Sequence, residues 1–304
     1  MKIVCTGVTG FIGRALLPAL VSQGYSVVVL TRRQNEGNLS SDENPRRAVW
    51  NGRDAGPWTK EIEGAGAVIN LAGEPLDRKR WTANQKALIV ASRVNAVRAV
   101  VRAIEAASAR PQVLINASGV DYYGDTGDAL VTEEFPPGEG FLADTCVRWE
   151  REACVAEKLG VRAVVLRTGP VLGREGGALP RMVLASRLYA GGPLGSGTQW
   201  FPWVHRDDVV AVVLNALRNS SYSGPLNVVA PEGVTNRQFC EMLGQVLHRP
   251  CWLPVPKYLL RLAFGEKASL VLSGRHVVPA RLRELGFSFH FPGLLPALQD
   301  ILVH

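Results

Sequence analysis

The sequence predicts an α/β fold, a doubly wound parallel sheet carrying a smaller, mostly helical C-terminal lobe. Three observations predict it. Short, fully apolar runs alternate with amphipathic stretches through the first half, the pattern of strand–helix–strand units whose sheet is covered on both faces. Glycines at 7, 10 and 13 mark the passage from the first apolar run into the first amphipathic stretch. Beyond about residue 170 the alternation gives way to glycine-rich loops and proline-punctuated helical segments.

Lys2–Thr6 reads as the first strand and residues 11–23 as its crossover helix. Residues 25–31 (Tyr-Ser-Val-Val-Val-Leu-Thr) are rich in β-branched side chains and form the second strand. A weakly patterned third follows at 47–50 and a fourth at 67–71, then a long helix from about 82 to 107. A fifth strand at 113–117, a helix over 141–158 and a sixth strand at 161–168 complete the alternation. One further helix-then-strand unit occupies 206–217 and 225–229, and the remaining helices are expected at 236–247, 257–264, 267–273 and 294–302. Residues 1–170, with 206–229 returning to the sheet, are expected to form a dinucleotide-binding unit. Residues 171–205 and 230–304 are expected to form the smaller substrate lobe.

Composition excludes several classes. With 47% apolar and 20% charged residues, the 304-residue chain has ample material for a core. It contains no uncharged apolar run of about 18 residues, so no membrane span is expected. A strand starting at Lys2 leaves no room for a leader peptide, and a cytoplasmic setting is expected. The five cysteines (Cys5, Cys146, Cys154, Cys240, Cys251) are scattered and lack a C-x-x-C pair, which suits a reducing compartment. The five histidines form no ligand-spaced cluster, so no metal site is expected. The net charge of +7 is spread along the chain without a basic-aromatic motif, so nucleic acid is not an expected partner.

The segment Gly7-Val-Thr9-Gly10-Phe11-Ile12-Gly13 joins strand to helix. The first glycine permits the tight turn, the second lets the backbone approach a pyrophosphate, and the third allows helix and strand to pack. The helix N-terminus then points at the phosphates. This is the Rossmann arrangement, and it implies a nicotinamide dinucleotide. The end of the second strand selects between the two such cofactors. An acidic residue there would hydrogen-bond the adenosine ribose and repel a 2′-phosphate. The chain has Thr31-Arg32-Arg33 instead. A guanidinium pairs with a phosphate through two hydrogen bonds, so NADP(H) is expected over NAD(H).

The G-x-x-G-x-x-G spacing resembles the extended, epimerase-like branch of the short-chain dehydrogenase/reductase superfamily. Asn70-Leu71-Ala72-Gly73 is similar to that superfamily's N-x-A-G segment, and residues 203–210 (Trp-Val-His-Arg-Asp-Asp-Val-Val) to its strand-to-helix segment near the substrate. Lys79-Arg80-Trp81, Ser92-Arg93, Tyr122-Tyr123-Gly124-Asp125 and the 192–197 loop narrow the resemblance. They are similar to an atypical subfamily of nucleoside-diphosphate-sugar epimerase-like proteins with a short C-terminal domain. The resemblance covers essentially the whole chain. It implies cofactor contacts at Gly7, Thr9, Gly10, Phe11, Ile12, Gly13, Thr31, Arg32, Arg33, Leu71, Ala72, Gly73, Arg93 and Val171. It also implies a small-molecule substrate and allows the superfamily's common homodimer.

The superfamily's chemistry ordinarily uses Tyr-x-x-x-Lys on one helix face, with a Ser or Thr at the end of the fifth strand. The lysine lowers the tyrosine's pKa so that tyrosinate can act as a base. This chain departs from that pattern, because none of its six tyrosines is followed four residues later by lysine. On the helix that should carry the pair, one register places Leu142 and Cys146 at the catalytic positions, and the other places Asp144 and Arg148 there. Ser118, Tyr122 and Tyr123 are the candidate catalytic groups, with Glu133, Glu134 and His205 near by analogy. Two functions follow: an NADP(H)-dependent oxidoreductase or epimerase with atypical catalytic groups, or a cofactor-binding sensor or partner-binding module with little turnover.

Overall fold

The computed structural model describes residues 1–32, 44–77 and 79–303. Strand β1 (Lys2–Thr6) leads through the glycine turn into α1 (Phe11–Ser22), β2 (Ser26–Thr31) and β3 (Arg46–Val49). The chain then crosses to β4 (Ala67–Asn70), runs along α2 (Ala83–Ala106), and returns in β5 (Val113–Gly119). A one-turn 3-10 helix (Val120–Tyr123) and β6 (Gly127–Val131) precede α3 (Phe141–Cys154) and β7 (Arg162–Thr168).

Beyond β7 come β8 (Val171–Leu172), α4 (Leu179–Arg187), β9 (Trp200–Phe201) and β10 (Val204–His205). Helix α5 (Arg206–Arg218) brings the chain back to β11 (Gly224–Val228) at the sheet edge. The remainder is β12 (Val234–Thr235), α6 (Asn236–Leu247), α7 (Lys257–Phe264), α8 (Ser269–Leu272), β13 (Arg275–Val277), α9 (Ala280–Glu284) and α10 (Leu294–Val303).

The central sheet is Rossmann-like, with seven parallel strands in the order β11-β7-β5-β4-β1-β2-β3. The winding reverses between β1 and β4, the position at whose carboxyl ends open α/β sheets form a ligand crevice. The inner strands are largely apolar on both faces because each face is covered, while the edge strand β3 (Arg-Arg-Ala-Val) alternates half-buried and exposed residues. On one side Ile3, Cys5, Leu16, Leu20, Val209, Val213 and Leu226 join α1 and α5 to the sheet. On the other, Val4, Val68, Val97, Val100, Trp149 and Ala153 join α2 and α3 to it. A third core of Leu172, Trp203, Phe239, Leu243, Leu294 and Leu298 forms the C-terminal lobe.

Three local differences from the expected elements have physical causes. The helix expected over 141–158 ends at Cys154 and tightens into a 3-10 turn (Val155–Leu159). Gly160, at φ +78°, closes it, a left-handed position that favours glycine. The helix expected over 267–273 is a 3-10 turn (Gly265–Ala268) followed by the single turn of α8. β6 and β13 pair in parallel across almost 150 residues of chain, a contact no local pattern announces.

Candidate functional site

The glycine loop lies at the winding reversal. Gly7 adopts φ +71°, and a Cβ built on it would lie 2.4 Å from both the carbonyl carbon and oxygen of Leu71. A side chain there would drive the β1 turn off the segment after β4. A Cβ on Gly13 would lie 2.1 Å from the Val8 Cα, so only glycine lets α1 pack against its own loop. Gly10 caps α1 without a side chain, and the first turn carries no acidic residue. The first-turn amides are thus left to an external acceptor. Thr9 and Gly10 are exposed, while Phe11 and Ile12 are half-buried. The Phe11 ring lies against Gly173, Gly176 and Gly177, bringing the strand β8 turn with Val171 over the loop. Thr31 ends β2 and the exposed Arg32 follows it; Arg33 lies outside the described residues.

The floor beside the loop is built from strand ends. Thr6 Oγ1 donates to Asn70 Oδ1 at 2.6 Å, and Asn70 Nδ2 donates to Asn116 Oδ1 at 2.7 Å. All three residues are fully buried, so this chain of amides and hydroxyl locks the ends of β1, β4 and β5 together. The Ala72 N–H donates to Asn70 Oδ1 at 3.3 Å, and the Leu71 N–H donates to the Thr6 carbonyl at 3.1 Å. Leu71, Ala72 and Gly73 are thereby held along the crevice. Over Gly73 lies Arg93, whose guanidinium carbon would be 3.2 Å from a Cβ built on that glycine.

Helix α3 turns its two candidate registers to different surroundings. Glu150 is buried toward the sheet, with Cys146 buried one turn before it. Glu152 turns to α2, where its Oε2 accepts from Arg98 Nε at 3.1 Å, and Asp144 and Arg148 are exposed. Cys146, buried, and Leu142, half-buried, thus lie on the Glu150 side of α3, away from the exposed Asp144 and Arg148. Burial pushes the Cys146 thiol up to about 12, with Asp121 and Glu150 adding to the shift, so it stays protonated.

The catalytic candidates diverge in their surroundings. Ser118 is buried, and its hydroxyl donates to Glu150 Oε1 at 2.6 Å. Tyr123 is buried, donates to Asn227 Oδ1 at 2.7 Å and accepts from Arg167 Nη1 at 2.9 Å. Burial raises its phenol to about 12, against the opposing pull of Arg167. Tyr122 is only half-buried, and its hydroxyl makes no hydrogen bond among the described residues. Its ring lies on the Arg167 guanidinium, whose carbon is 3.5 Å from the ring centroid. Of the three, Tyr122 alone has its proton uncommitted.

Arg167 is the group that sequence reasoning missed. Its Nε and Nη2 donate to the Glu150 carboxylate at 3.0 and 2.8 Å, and its Nη1 also donates to the Glu133 carbonyl at 3.1 Å. Glu133 in turn accepts from the Asn227 and Arg281 amides, tying β11 and α9 into one buried polar network. One signal was present: a lone arginine inside the apolar run Ala-Val-Val-Leu-Arg167-Thr, on a strand expected to be covered on both faces, must have a buried partner. His205 serves elsewhere, accepting from the Asp207 N–H as the N-cap of α5 and packing on Phe291. Burial lowers its pKa, which keeps the ring neutral. Glu134 is exposed.

A cavity of about 720 Å³ opens beside the start of α3, between it and α7–α8 of the C-terminal lobe. Trp81 and Phe141, packed edge to face at 5.3 Å, form an apolar wall, and the rest of the lining mixes the cations Lys86, Lys257 and Arg261 with the carboxylates Asp125 and Glu266. That size suits a small organic molecule. The glycine-rich 192–197 loop borders this region, since Gly195 packs on Lys257 and Leu272. Among the described residues no group of three or more His, Cys, Asp or Glu could hold a metal ion. Nor is any helix there long and apolar enough to cross a membrane.

Comparison with known proteins agrees with this geometry. Residues 3–229 match the NAD dependent epimerase/dehydratase family, and residues 255–301 match a domain of unknown function, DUF1731. The chain is 40% identical over 306 residues to the chloroplastic Epimerase family protein SDR39U1 homolog of Arabidopsis thaliana, covering 99% of this chain and 87% of that one. It is 38% identical to Epimerase family protein YfhF of Bacillus subtilis, over 99% and 98% of the two chains. The crystal structure of human epimerase family protein SDR39U1 (isoform 2) with NADPH superimposes with a TM-score of 0.89 at 32% identity, covering all of both chains.

Proposed function

The chain belongs to the NAD dependent epimerase/dehydratase family, and from that premise we propose that it binds NADP(H) at the reversal of its sheet and reduces a carbonyl group of a small organic substrate. The observation that carries this reading is the β1–α1 loop. Gly7 and Gly13 let the turn and α1 pack against the Leu71 and Val8 backbone more closely than any Cβ would allow, the first turn of α1 lacks any capping side chain, and the exposed cation Arg32 directly follows β2. Those residues fit a pyrophosphate at the helix N-terminus and a 2′-phosphate at the strand end. The human relative crystallised with NADPH supports the same choice of cofactor.

In this reading the 7–13 loop holds the pyrophosphate, Thr31 and Arg32 read the adenosine ribose and its phosphate, and residues 71–73 and Val171 flank the dinucleotide. When bound, the dinucleotide supplies the hydride. Tyr122, with its hydroxyl uncommitted, gives the proton to the substrate oxygen. Arg167, with its guanidinium carbon 3.5 Å from the ring centroid, keeps that ring in place. Ser118 and Tyr123 act as supports, because their hydroxyls are already engaged with Glu150 and Asn227. No ammonium stands on α3 to favour a tyrosinate, so the chemistry runs in the reducing direction, with the substrate in the cavity walled by Trp81 and Phe141. The free thiols of all five cysteines suit a reducing compartment such as the cytoplasm.

The apolar Leu142 and protonated Cys146 on the Glu150 side of α3 favour one second reading, a sensor that holds NADP(H) with little turnover. One experiment separates the two. NADPH and NADH are titrated by nicotinamide fluorescence, and NADPH oxidation is then followed against a panel of aldehydes, ketones and nucleotide sugars. Preference for NADPH with turnover of some carbonyl supports the reductase. NADPH binding without turnover supports the sensor, and failure to bind either dinucleotide overturns both.

A further inference from the structure

We propose that Cys240 and Cys251 form a redox-active dithiol in the C-terminal lobe, in which a hydroperoxide oxidises Cys251 and Cys240 closes the disulfide. The pair lies on α6 and the segment that follows it, and its chemistry is independent of the cofactor reading.

The chain is folded back so that the two thiols meet. Helix α6 ends at His248, whose left-handed φ of +51° turns the backbone, and the Arg249 N–H donates to the Gly244 carbonyl at 2.9 Å. Cys240 and Gly244, four residues apart, share one face of α6. A Cβ built on Gly244 would lie 2.9 Å from the Cys251 Cβ, so the returning segment seats on that face where only glycine leaves room. The Cys240 thiol then has two acceptors in reach, the Gly192 carbonyl at 3.4 Å and the Cys251 sulfur.

The two sulfurs differ in access and in charge. Cys240 is buried, whereas Cys251 is half-buried in the wall of a cavity of about 610 Å³ that Arg237, Glu241, Arg249 and Trp252 also line. A small oxidant entering there meets Cys251 and not Cys240. The thiolate is the reactive form of a cysteine. The hydrogen bond from Cys240 lowers the pKa of Cys251, against the pull of burial and of Glu241, and the same bond raises that of Cys240. Burial pushes Cys5, Cys146 and Cys154 up, so Cys251 alone of the five thiols is shifted toward its reactive form.

The chemistry balances in two steps. The Cys251 thiolate attacks a hydroperoxide; an S–O bond forms, the O–O bond breaks, and the departing oxygen takes up a proton as water or an alcohol. The Cys240 sulfur then attacks the Cys251 sulfenic acid; the S–S bond forms, the S–O bond breaks, and the leaving hydroxide takes the Cys240 proton as water. The two thiols lose two electrons and two protons in all, and the hydroperoxide is reduced by two electrons. A dithiol reductant reverses the result, as expected of a disulfide formed transiently in a reducing compartment.

The test treats the intact 304-residue protein with hydrogen peroxide, then denatures, alkylates and digests it with trypsin. Cys240 and Cys251 emerge in one peptide, residues 238–257, because Arg249 precedes proline and is not cut. That peptide should lose two hydrogens and resist alkylation, the alkylatable thiols falling from five to three, and dithiothreitol should restore all five. Cys240→Ser should accumulate a dimedone adduct on Cys251, and Cys251→Ser should leave Cys240 fully alkylatable. Peroxide that oxidises Cys5, Cys146 or Cys154 before the 238–257 peptide, or that leaves all five thiols alkylatable, would overturn the proposal. So would a Cys251 that proceeds to sulfinic acid while Cys240 stays alkylatable, or a dimedone adduct on Cys240. The parent protein alone decides the first two outcomes, whether or not either serine variant folds.

Discussion

Adjacent tyrosines with different surroundings should fail differently when each loses its hydroxyl. In Tyr123→Phe the ring still fills its buried space, but Asn227 Oδ1 loses the 2.7 Å hydrogen bond from the phenol. Arg167 Nη1 loses its 2.9 Å acceptor and retains the Glu133 carbonyl. The net result is one buried acceptor without a donor, which costs about 1–3 kcal/mol. Tyr122→Phe removes a hydroxyl that has no hydrogen-bond partner among the described residues and leaves the ring on Arg167, so its stability should change by no more than about 0.5 kcal/mol. Turnover should show the reverse order. Removing a positioned proton donor costs about a hundred- to ten-thousandfold, and that loss should belong to Tyr122→Phe. Urea denaturation measures the first quantity, and NADPH oxidation with whichever carbonyl the panel identifies measures the second. A Tyr123→Phe variant as stable as the parent but catalytically dead would refute the division of labour. So would a Tyr122→Phe variant with parental turnover.

Other outcomes follow from the same geometry. Arg32→Ala should weaken NADPH by about ten- to a hundredfold and leave NADH nearly unchanged; equal losses by fluorescence titration would show that Arg32 does not read the 2′-phosphate. Gly13→Ala puts a methyl 2.1 Å from the Val8 Cα, so it should abolish dinucleotide binding and lower the melting temperature, and a parental binding isotherm would contradict this. Glu150→Gln strands the enclosed Arg167 charge, with an expected loss of about 3–5 kcal/mol in denaturant unfolding, and a loss below about 1 kcal/mol would mean that water reaches the pair. The Tyr123 phenol, raised to about 12 chiefly by burial, favours its neutral form in the folded state. Its contribution is fully present below the unfolded value near ~10 and is lost as pH rises through 12, so the stability gap between parent and Tyr123→Phe should close over that interval.

The sequence by itself determined the elements whose pattern is local. Lys2–Thr6 is apolar because both of its faces are covered, and α2 was legible from 82 to 107 because its inward face repeats at helical spacing. The glycines at 7, 10 and 13 were legible as a phosphate loop because steric demands on a backbone turn act between near neighbours. Arg32 was visible as the residue following the second strand for the same reason. Tertiary structure alone decided what the side chains at the site do. Tyr122 and Tyr123 are indistinguishable in sequence, and they differ because Asn227, 104 residues away, meets one hydroxyl and nothing in the described chain meets the other. The inward turn of Glu150 on α3 was decided when it closed on Ser118 and Arg167 across two strands. Arg93 gained its position only when α2 was packed over Gly73 and Trp149. Periodicity records which face of an element is buried, but a hydrogen bond or a buried charge is specified by whichever residue the fold brings opposite it, and that partner carries no mark in the local sequence.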